Sequence, residues 1–217
     1  MTLAASDEPE RFRIQLCHRA TTLVDLRGRR VLGVGCGHVG GASYLMRTLR
    51  PASYTGLDLN PASIAFCRKR HNLPGLEFVQ GGAENLSFPD QSFDAVINIE
   101  SSHGYPRFPR FVAEVARVLR SGGHFLYADL RYAGAIGAWE ADLANAPMRL
   151  ISEQVINREV MRGLEKNRFA DQLIRRLPNI PFARNIAVDY AGGPGSLLYR
   201  RLENGEVSYR LFCFVND

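Results

Sequence analysis

The amino-acid sequence predicts an α/β chain built on a doubly wound, seven-stranded sheet. Three observations carry that reading. Short apolar runs alternate with amphipathic stretches over the first two-thirds of the 217 residues. A glycine-rich turn follows the first apolar run and opens the first internal helix. The last third closes on two further strand-like segments after a helical stretch. Strict alternation of strand and helix implies a parallel sheet covered by helices on both faces, with right-handed crossovers. That is a Rossmann-like arrangement.

The elements follow in order. An N-terminal helix is expected from about Asp7 to Leu23. Arg30 to Val34 is the first strand, and Ala42 to Arg50 is a helix stopped by Pro51. Tyr54 to Leu57 is the second strand. Asn60-Pro61 then opens a helix running to about His71, with Asn as the cap and Pro in the first turn, where its missing N–H costs nothing. Leu76 to Gln80 and Phe93 to Ile99 are the third and fourth strands. Phe108, Phe111, Val112, Val115, Val118 and Leu119 recur at three- and four-residue steps, the apolar stripe of a helix. Gly122-Gly123 is expected to end that helix, and His124 to Ala128 is the fifth strand. From Trp139 to about Arg176 the pattern is mostly helical. Asn185 to Tyr190 and Val207 to Val215 read as a closing strand pair, connected through Gly192 to Gly195 and Asn204-Gly205.

These elements predict one domain over residues 1–217. Within it, 1–28 is an N-terminal lid helix, 29–131 a cofactor-binding core, 132–182 a helical lid insertion and 183–217 the closing strand pair. A chain of this length buries a sizeable core without disulfide or metal staples. Cys17, Cys36, Cys67 and Cys213 are scattered with no Cys-x-x-Cys pair, the usage of reduced, individually buried thiols in a cytoplasmic protein. The start of the chain lacks the basic-then-apolar order of a signal peptide, and no stretch is long enough to span a bilayer. The 27 basic against 22 acidic residues give a formal charge of +5. The basic residues are dispersed rather than gathered in a stripe, which argues against nucleic acid as a partner. A homodimer is left open. No cluster of His, Cys, Asp and Glu has metal-ligand spacing, so no metal is expected.

Gly35-Cys36-Gly37-His38-Val39-Gly40 lies between the first strand and the helix after it. Glycines suit that place because the backbone must turn sharply and let a ligand approach closely, in front of the unpaired N–H groups of a helix start. Asp58, 21 positions after Gly37, ends the second strand. A carboxylate there can accept hydrogen bonds from both ribose hydroxyls of an adenosine cofactor. The same turn and acid serve NAD(P)-dependent oxidoreductases, so the motif alone leaves that reading open.

Three later stretches, Gly81-Gly82-Ala83-Glu84-Asn85-Leu86-Ser87-Phe88, Ser92-Phe93-Asp94-Ala95-Val96 and Val118-Leu119-Arg120-Ser121-Gly122-Gly123, resemble the successive motifs of class I S-adenosylmethionine-dependent methyltransferases. The chain also resembles the actinobacterial phthiotriol/phenolphthiotriol dimycocerosate methyltransferases at Ala5-Ser6-Asp7-Glu8-Pro9, Gly40 to Leu45, Pro51 to Asn60, Tyr127 to Arg131, Ala138 to Leu143 and Ser208-Tyr209-Arg210. The resemblance implies S-adenosylmethionine as cofactor and O-methylation of a hydroxyl on a small, lipid- or polyketide-like acceptor. It implies cofactor contacts from Gly35, Cys36, Gly37, Gly40, Asp58, Leu59, Gly82, Ala83, Glu84 and Glu100. Two positions depart from the family pattern. Gly33 stands where an acid near the cofactor's ammonium is usual, and Gly82 where an Asp beside the adenine is usual. Family members also carry a longer segment ahead of the position of Glu8. The departures raise a further alternative, a methyltransferase-like fold that binds without catalysis.

Methyl transfer from a sulfonium needs acceptor oxygen, methyl carbon and sulfur in line, and a group to take the hydroxyl proton. In an open parallel sheet such groups lie beyond the C-terminal strand ends. After the fourth strand come Glu100, Ser101, Ser102, His103, Gly104 and Tyr105; after the fifth comes Asp129. His103 is the candidate base, since an imidazole accepts a proton at neutral pH, and Asp129 is its candidate partner. The alternative is a histidine that only packs in its loop. Phe12, Ile14, Leu16 and Trp139 either line an apolar acceptor pocket or belong to the core, and the N-terminal helix is expected to cover the site.

Overall fold

The computed structural model describes residues 1–38, 40–166 and 192–217. Strands β1 (Arg30–Val34), β2 (Ser53–Asp58), β3 (Leu76–Gln80), β4 (Phe93–Ile99), β5 (Leu119–Tyr132), β6 (Arg149–Val155) and β7 (Val207–Val215) form one sheet in the order β3-β2-β1-β4-β5-β7-β6. The pairings β2–β3, β1–β2, β1–β4 and β4–β5 are parallel. Among the described residues the α-helices are α1 (Arg11–Thr21), α2 (Gly41–Thr48), α3 (Pro61–Arg70), α4 (Phe108–Val118), α5 (Ala133–Ala144), α6 (Asn157–Lys166) and α7 (Leu197–Glu203). By its contacts the chain divides into two compact units. One is Met1–Asp129 with Ala138–Gln154 and Leu211–Asp217; the other is Leu130–Gly137 with Val155–Arg210.

The core of the first unit shows why the inner strands read as continuous apolar runs. Successive residues of a strand point to opposite faces, and here both faces are covered. Leu32, Val96, Phe125, Tyr127, Phe212 and Phe214 join one buried cluster with α4. Their chain neighbours Val31, Ala95, Ile97, Leu126 and Cys213 join another with α1, α2 and α3. Asn60 caps α3 as its residue type predicts, its side-chain oxygen accepting from Ala62 N–H at 2.9 Å.

In the second unit, Asn157 ties the start of α6 to the start of β7. Its amide donates to the carbonyls of Leu202 and Val207, and its oxygen accepts from Tyr209 N–H at 2.7 Å. Ser196 caps α7, accepting from Tyr199 N–H at 3.0 Å.

Three expectations are corrected. The segment after Trp139 is not uniformly helical, because it contains strand β6. That strand lies at the sheet edge with nearly every residue exposed, so it lacks the apolar alternation by which a half-buried strand is recognised. Gly122-Gly123 does not end α4, whose C-cap is Leu119. The pairing with β4 jumps from Phe93↔Leu119 to Ala95↔His124, so the two glycines lie in a bulge where Gly122 takes φ +73°. Helix α7 occupies part of what reads as a plain connection between the closing strands. The expected strand Asn185 to Tyr190 and the C-terminal part of the helical stretch lie outside the described residues. Among the described residues, no helix is long and apolar enough to cross a membrane, and no group of three or more His, Cys, Asp or Glu could hold a metal ion.

Candidate active site

The glycine turn is shaped by the strand beside it. Gly35 and Cys36 both donate backbone N–H bonds to Leu57 O, at 2.8 and 3.0 Å. Gly37 N–H reaches the Asp58 carboxylate at 2.8 Å, and the other carboxylate oxygen accepts from Asn60 N–H at 2.9 Å. Asp58 therefore orders the turn while each oxygen keeps a further lone pair for a ligand. Gly35 and Gly37 have φ of +69° and +54°, which only glycine adopts cheaply. Around Gly37, Gly40 and Gly82 the space a side chain would fill is open, so backbone is accessible there.

Gly35 is constrained from a different side. A β-carbon on it would collide with Ser101, on the loop after β4. Ser101 Oγ lies 2.7 Å from Tyr105 OH, and Tyr105 OH accepts from the Asn98 amide at 3.1 Å. The same Asn98 amide donates to Val34 O at 3.0 Å, at the end of β1. Ser101, Tyr105 and Asn98 thus join the glycine turn to the loop that follows β4. Burial and the neighbouring carboxylates push the Tyr105 hydroxyl up to about 12, against the opposing hydrogen bonds from Ser101 and Asn98, so it is a neutral phenol at physiological pH.

The structure brings His103 and Asp129 together. His103 sits in the single turn Ser102–Gly104, and its Nδ1 lies 2.8 Å from Asp129 Oδ1. Asp129 is fully buried, whereas the imidazole side chain is 46% exposed. Asp129 Oδ2 also accepts from His103 N–H at 3.0 Å and from Ser102 Oγ at 2.6 Å. With an acceptor-only carboxylate at Nδ1, the proton belongs on Nδ1 and the lone pair on Nε2. That tautomer suits proton acceptance.

Other predicted positions distribute unevenly. Glu100 follows β4 with φ +52° and donates its N–H to Ala128 O at 2.9 Å. Leu59 is exposed, and Ala83 is partly buried against the core. The Glu84 carboxylate accepts from Arg107 N–H at 2.5 Å and from the Arg107 guanidinium at 3.1 Å at the head of α4. His38 lies 3.2 Å from Ser63 Oγ and edge-on to Phe66. Of the proposed pocket-lining residues, Ile14 and Trp139 are core residues, while Phe12 and Leu16 are half-buried. Cys36 and Cys67 are not separate thiols, since both converge on Gly37 O, at 3.9 and 3.1 Å. Sequence reasoning missed Asn98, which lies inside an apolar strand; a buried amide in such a run is the signal that could have found it.

A family model described as a methyltransferase domain matches residues 32–127. Over 219 aligned residues the chain is 58% identical to the phthiotriol/phenolphthiotriol dimycocerosates methyltransferase of Mycobacterium tuberculosis, covering 100% of this chain and 80% of that protein. The chain belongs to this family. It is 53% identical to a fatty-acid O-methyltransferase of Mycolicibacterium smegmatis, over 98% of this chain and 77% of that one. A putative sarcosine dimethylglycine methyltransferase from Galdieria sulphuraria shares the fold at a TM-score of 0.75 and 16% identity, covering 99% of this chain and 87% of that one. A geranyl diphosphate C-methyltransferase from Streptomyces coelicolor does so at 0.71 and 14%, covering 96% and 82%. Membership of the phthiotriol/phenolphthiotriol family makes the chain a methyltransferase of the class I fold. The oxidoreductase reading of the glycine turn gives way to it.

Proposed function

We propose that this methyltransferase transfers the methyl group of S-adenosylmethionine to a hydroxyl of a lipid- or polyketide-like acceptor. His103 acts as general base and Asp129 as its orienting partner. The observation that carries the reading is the 2.8 Å contact between a half-exposed imidazole and a fully buried carboxylate just beyond the ends of β4 and within β5. The open backbone at Gly37, Gly40 and Gly82 and the Asp58 carboxylate that orders the turn support this cofactor, with Asp58 proposed to accept from the ribose hydroxyls. When bound, S-adenosylmethionine supplies an electrophilic methyl carbon. The chain supplies the rest. His103 Nε2 takes the hydroxyl proton as the oxygen becomes nucleophilic, and Asp129 stabilises the imidazolium that results. Helix α1 is proposed as a cover over the acceptor. The names of the relatives, one acting on phthiotriol and phenolphthiotriol dimycocerosates and one on fatty acids, support an apolar acceptor.

The test has two arms. S-adenosylhomocysteine should raise the melting temperature by binding the native state, and NAD should not. A panel of hydroxylated lipids and polyketides, sugars, amines and thiols should give turnover with the first group. Exclusive N-methylation, or stabilisation by NAD alone, would overturn the reading.

A further inference from the structure

The His103–Asp129 pair stands at the end of a longer chain of buried polar groups. Trp139 Nε1 donates to Tyr127 OH at 2.9 Å. Tyr127 OH lies 2.6 Å from Ser102 Oγ, and Ser102 Oγ lies 2.6 Å from Asp129 Oδ2. All four residues are buried, Tyr127 and Asp129 completely. The direction of each bond follows from the groups themselves. An indole N–H can only donate and a carboxylate can only accept. Ser102 has one proton and gives it to Asp129. Its oxygen must therefore accept from Tyr127, whose oxygen accepts from Trp139. Every hydrogen bond in the series points from Trp139 towards Asp129.

Such a series has a chemical consequence at its far end. A fully buried carboxylate is costly to keep ionised unless donors surround it. Asp129 has the Ser102 hydroxyl, the His103 backbone N–H and the His103 ring N–H. With the Ser102 donor missing, neutralisation becomes easier. A protonated Asp129 could give its proton to Nδ1 in a hydrogen bond, and His103 would then carry its own proton on Nε2, the wrong nitrogen for accepting one. Tyr127 stops Ser102 from turning away, because a Ser102 hydroxyl pointed at Tyr127 would meet a donor. Trp139 does the same for Tyr127. Packing holds the series rigid. Tyr127 is stacked between Phe125 and Phe212, at 5.2 and 5.5 Å between ring centres, and Trp139 meets it edge-on at 6.0 Å.

We infer that Ser102, Tyr127 and Trp139 are positioning residues that hold Asp129 ionised and thereby keep the His103 proton on Nδ1. This rests on His103 being the base, so the experiment includes a readout independent of turnover. Nitrogen-15 NMR of ring-labelled His103, taken above its titration, reports which nitrogen carries the proton. The wild-type protein gives the Nδ1–H pattern. Ser102→Ala moves the signal towards Nε2–H and lowers turnover by roughly tenfold to a hundredfold, while affinity for S-adenosylhomocysteine stays within about twofold. Ser102→Thr, which restores the hydroxyl, brings the Nδ1–H pattern back. Tyr127→Phe shifts the signal in the same direction by a smaller amount and carries the test if Ser102→Ala does not fold. An unchanged tautomer in both Ser102→Ala and Tyr127→Phe overturns the inference. Full activity of His103→Ala would instead refute the base and leave the tautomer comparison standing by itself.

Discussion

The Tyr54 side chain occupies the place that a β-carbon on Gly33 would take. A β-carbon there would collide with the phenol oxygen and come within 2.7 Å of Cζ. Gly33 and Tyr54 lie on adjacent strands, and Tyr54 is only 5% exposed, so its ring has nowhere to retreat. The acid that the family pattern leads one to expect at position 33 therefore cannot enter this chain without displacing Tyr54. Gly33→Ala should cost roughly 1–3 kcal/mol by overpacking, read as a lower urea midpoint. Tyr54→Phe in that background should recover part of the loss. A double-mutant cycle without coupling would show that the two residues do not contest the space.

Gly82 behaves oppositely. Nothing lies within 4 Å of a β-carbon built there, and its φ is not in the left-handed region. Gly82→Asp should fold normally and bind S-adenosylmethionine several-fold to about tenfold more tightly, since one such hydrogen bond contributes on the order of 0.5–1.5 kcal/mol net. Calorimetry on the two proteins decides it. Equal or weaker binding by the Asp variant would assign adenine recognition to other groups; the carboxylate of Glu84 is already engaged by Arg107.

His103→Ala should lower turnover by on the order of 10²–10⁴ with cofactor affinity nearly intact. Asp129→Asn should come close to the same loss, because an amide that donates to Nδ1 leaves the ring proton on Nε2. Steady-state kinetics beside cofactor calorimetry separate chemistry from binding. Turnover within a few-fold in both variants would mean that alignment alone carries the reaction.

Glu114 offers a pH-dependent stability test away from the site. Its carboxylate accepts from Arg117 at 2.8 Å through both oxygens and from Leu86 N–H at 2.7 Å. The Arg117 hydrogen bonds, foremost, hold its pKa below the usual carboxylate value, against the opposing effect of burial. A group lowered in the native state stabilises the fold above its unfolded value, near ~4.3, and loses that contribution as pH falls through the native one. Glu114→Gln should therefore cost about 1–2 kcal/mol at pH 7, and the gap to wild type should narrow below pH ~4. A gap independent of pH would assign the loss to packing.

Much of the fold was legible because local chemistry and tertiary packing agree. Asn60-Pro61 starts α3, and Phe108 to Val118 carries a buried stripe, as residue type and spacing require. Strand β6 was not legible because an exposed edge strand leaves no periodic trace. Gly122-Gly123 suggested a helix end, but the bulge that opens β5 needs the same backbone freedom. At the site, His103 could be placed just beyond β4, whereas Asp129, expected just after a strand ending at Ala128, lies inside β5, which runs on to Tyr132. Their supporting groups could not, because Ser102 and Tyr127 are 25 positions apart and meet only once β4 and β5 pair in register.

The interlock at Gly35 has a consequence for how catalysis is prepared. The turn expected to hold the methyl donor and the loop expected to face the acceptor share Ser101, Tyr105 and Asn98, so neither can shift without moving the other. Donor-side and acceptor-side geometry is then set once, when β1 and β4 pair, rather than negotiated at each encounter. A blemish on either side becomes a misalignment on both. Gly35→Ala should accordingly act as one lesion with two symptoms, weakening cofactor affinity and acceptor turnover together.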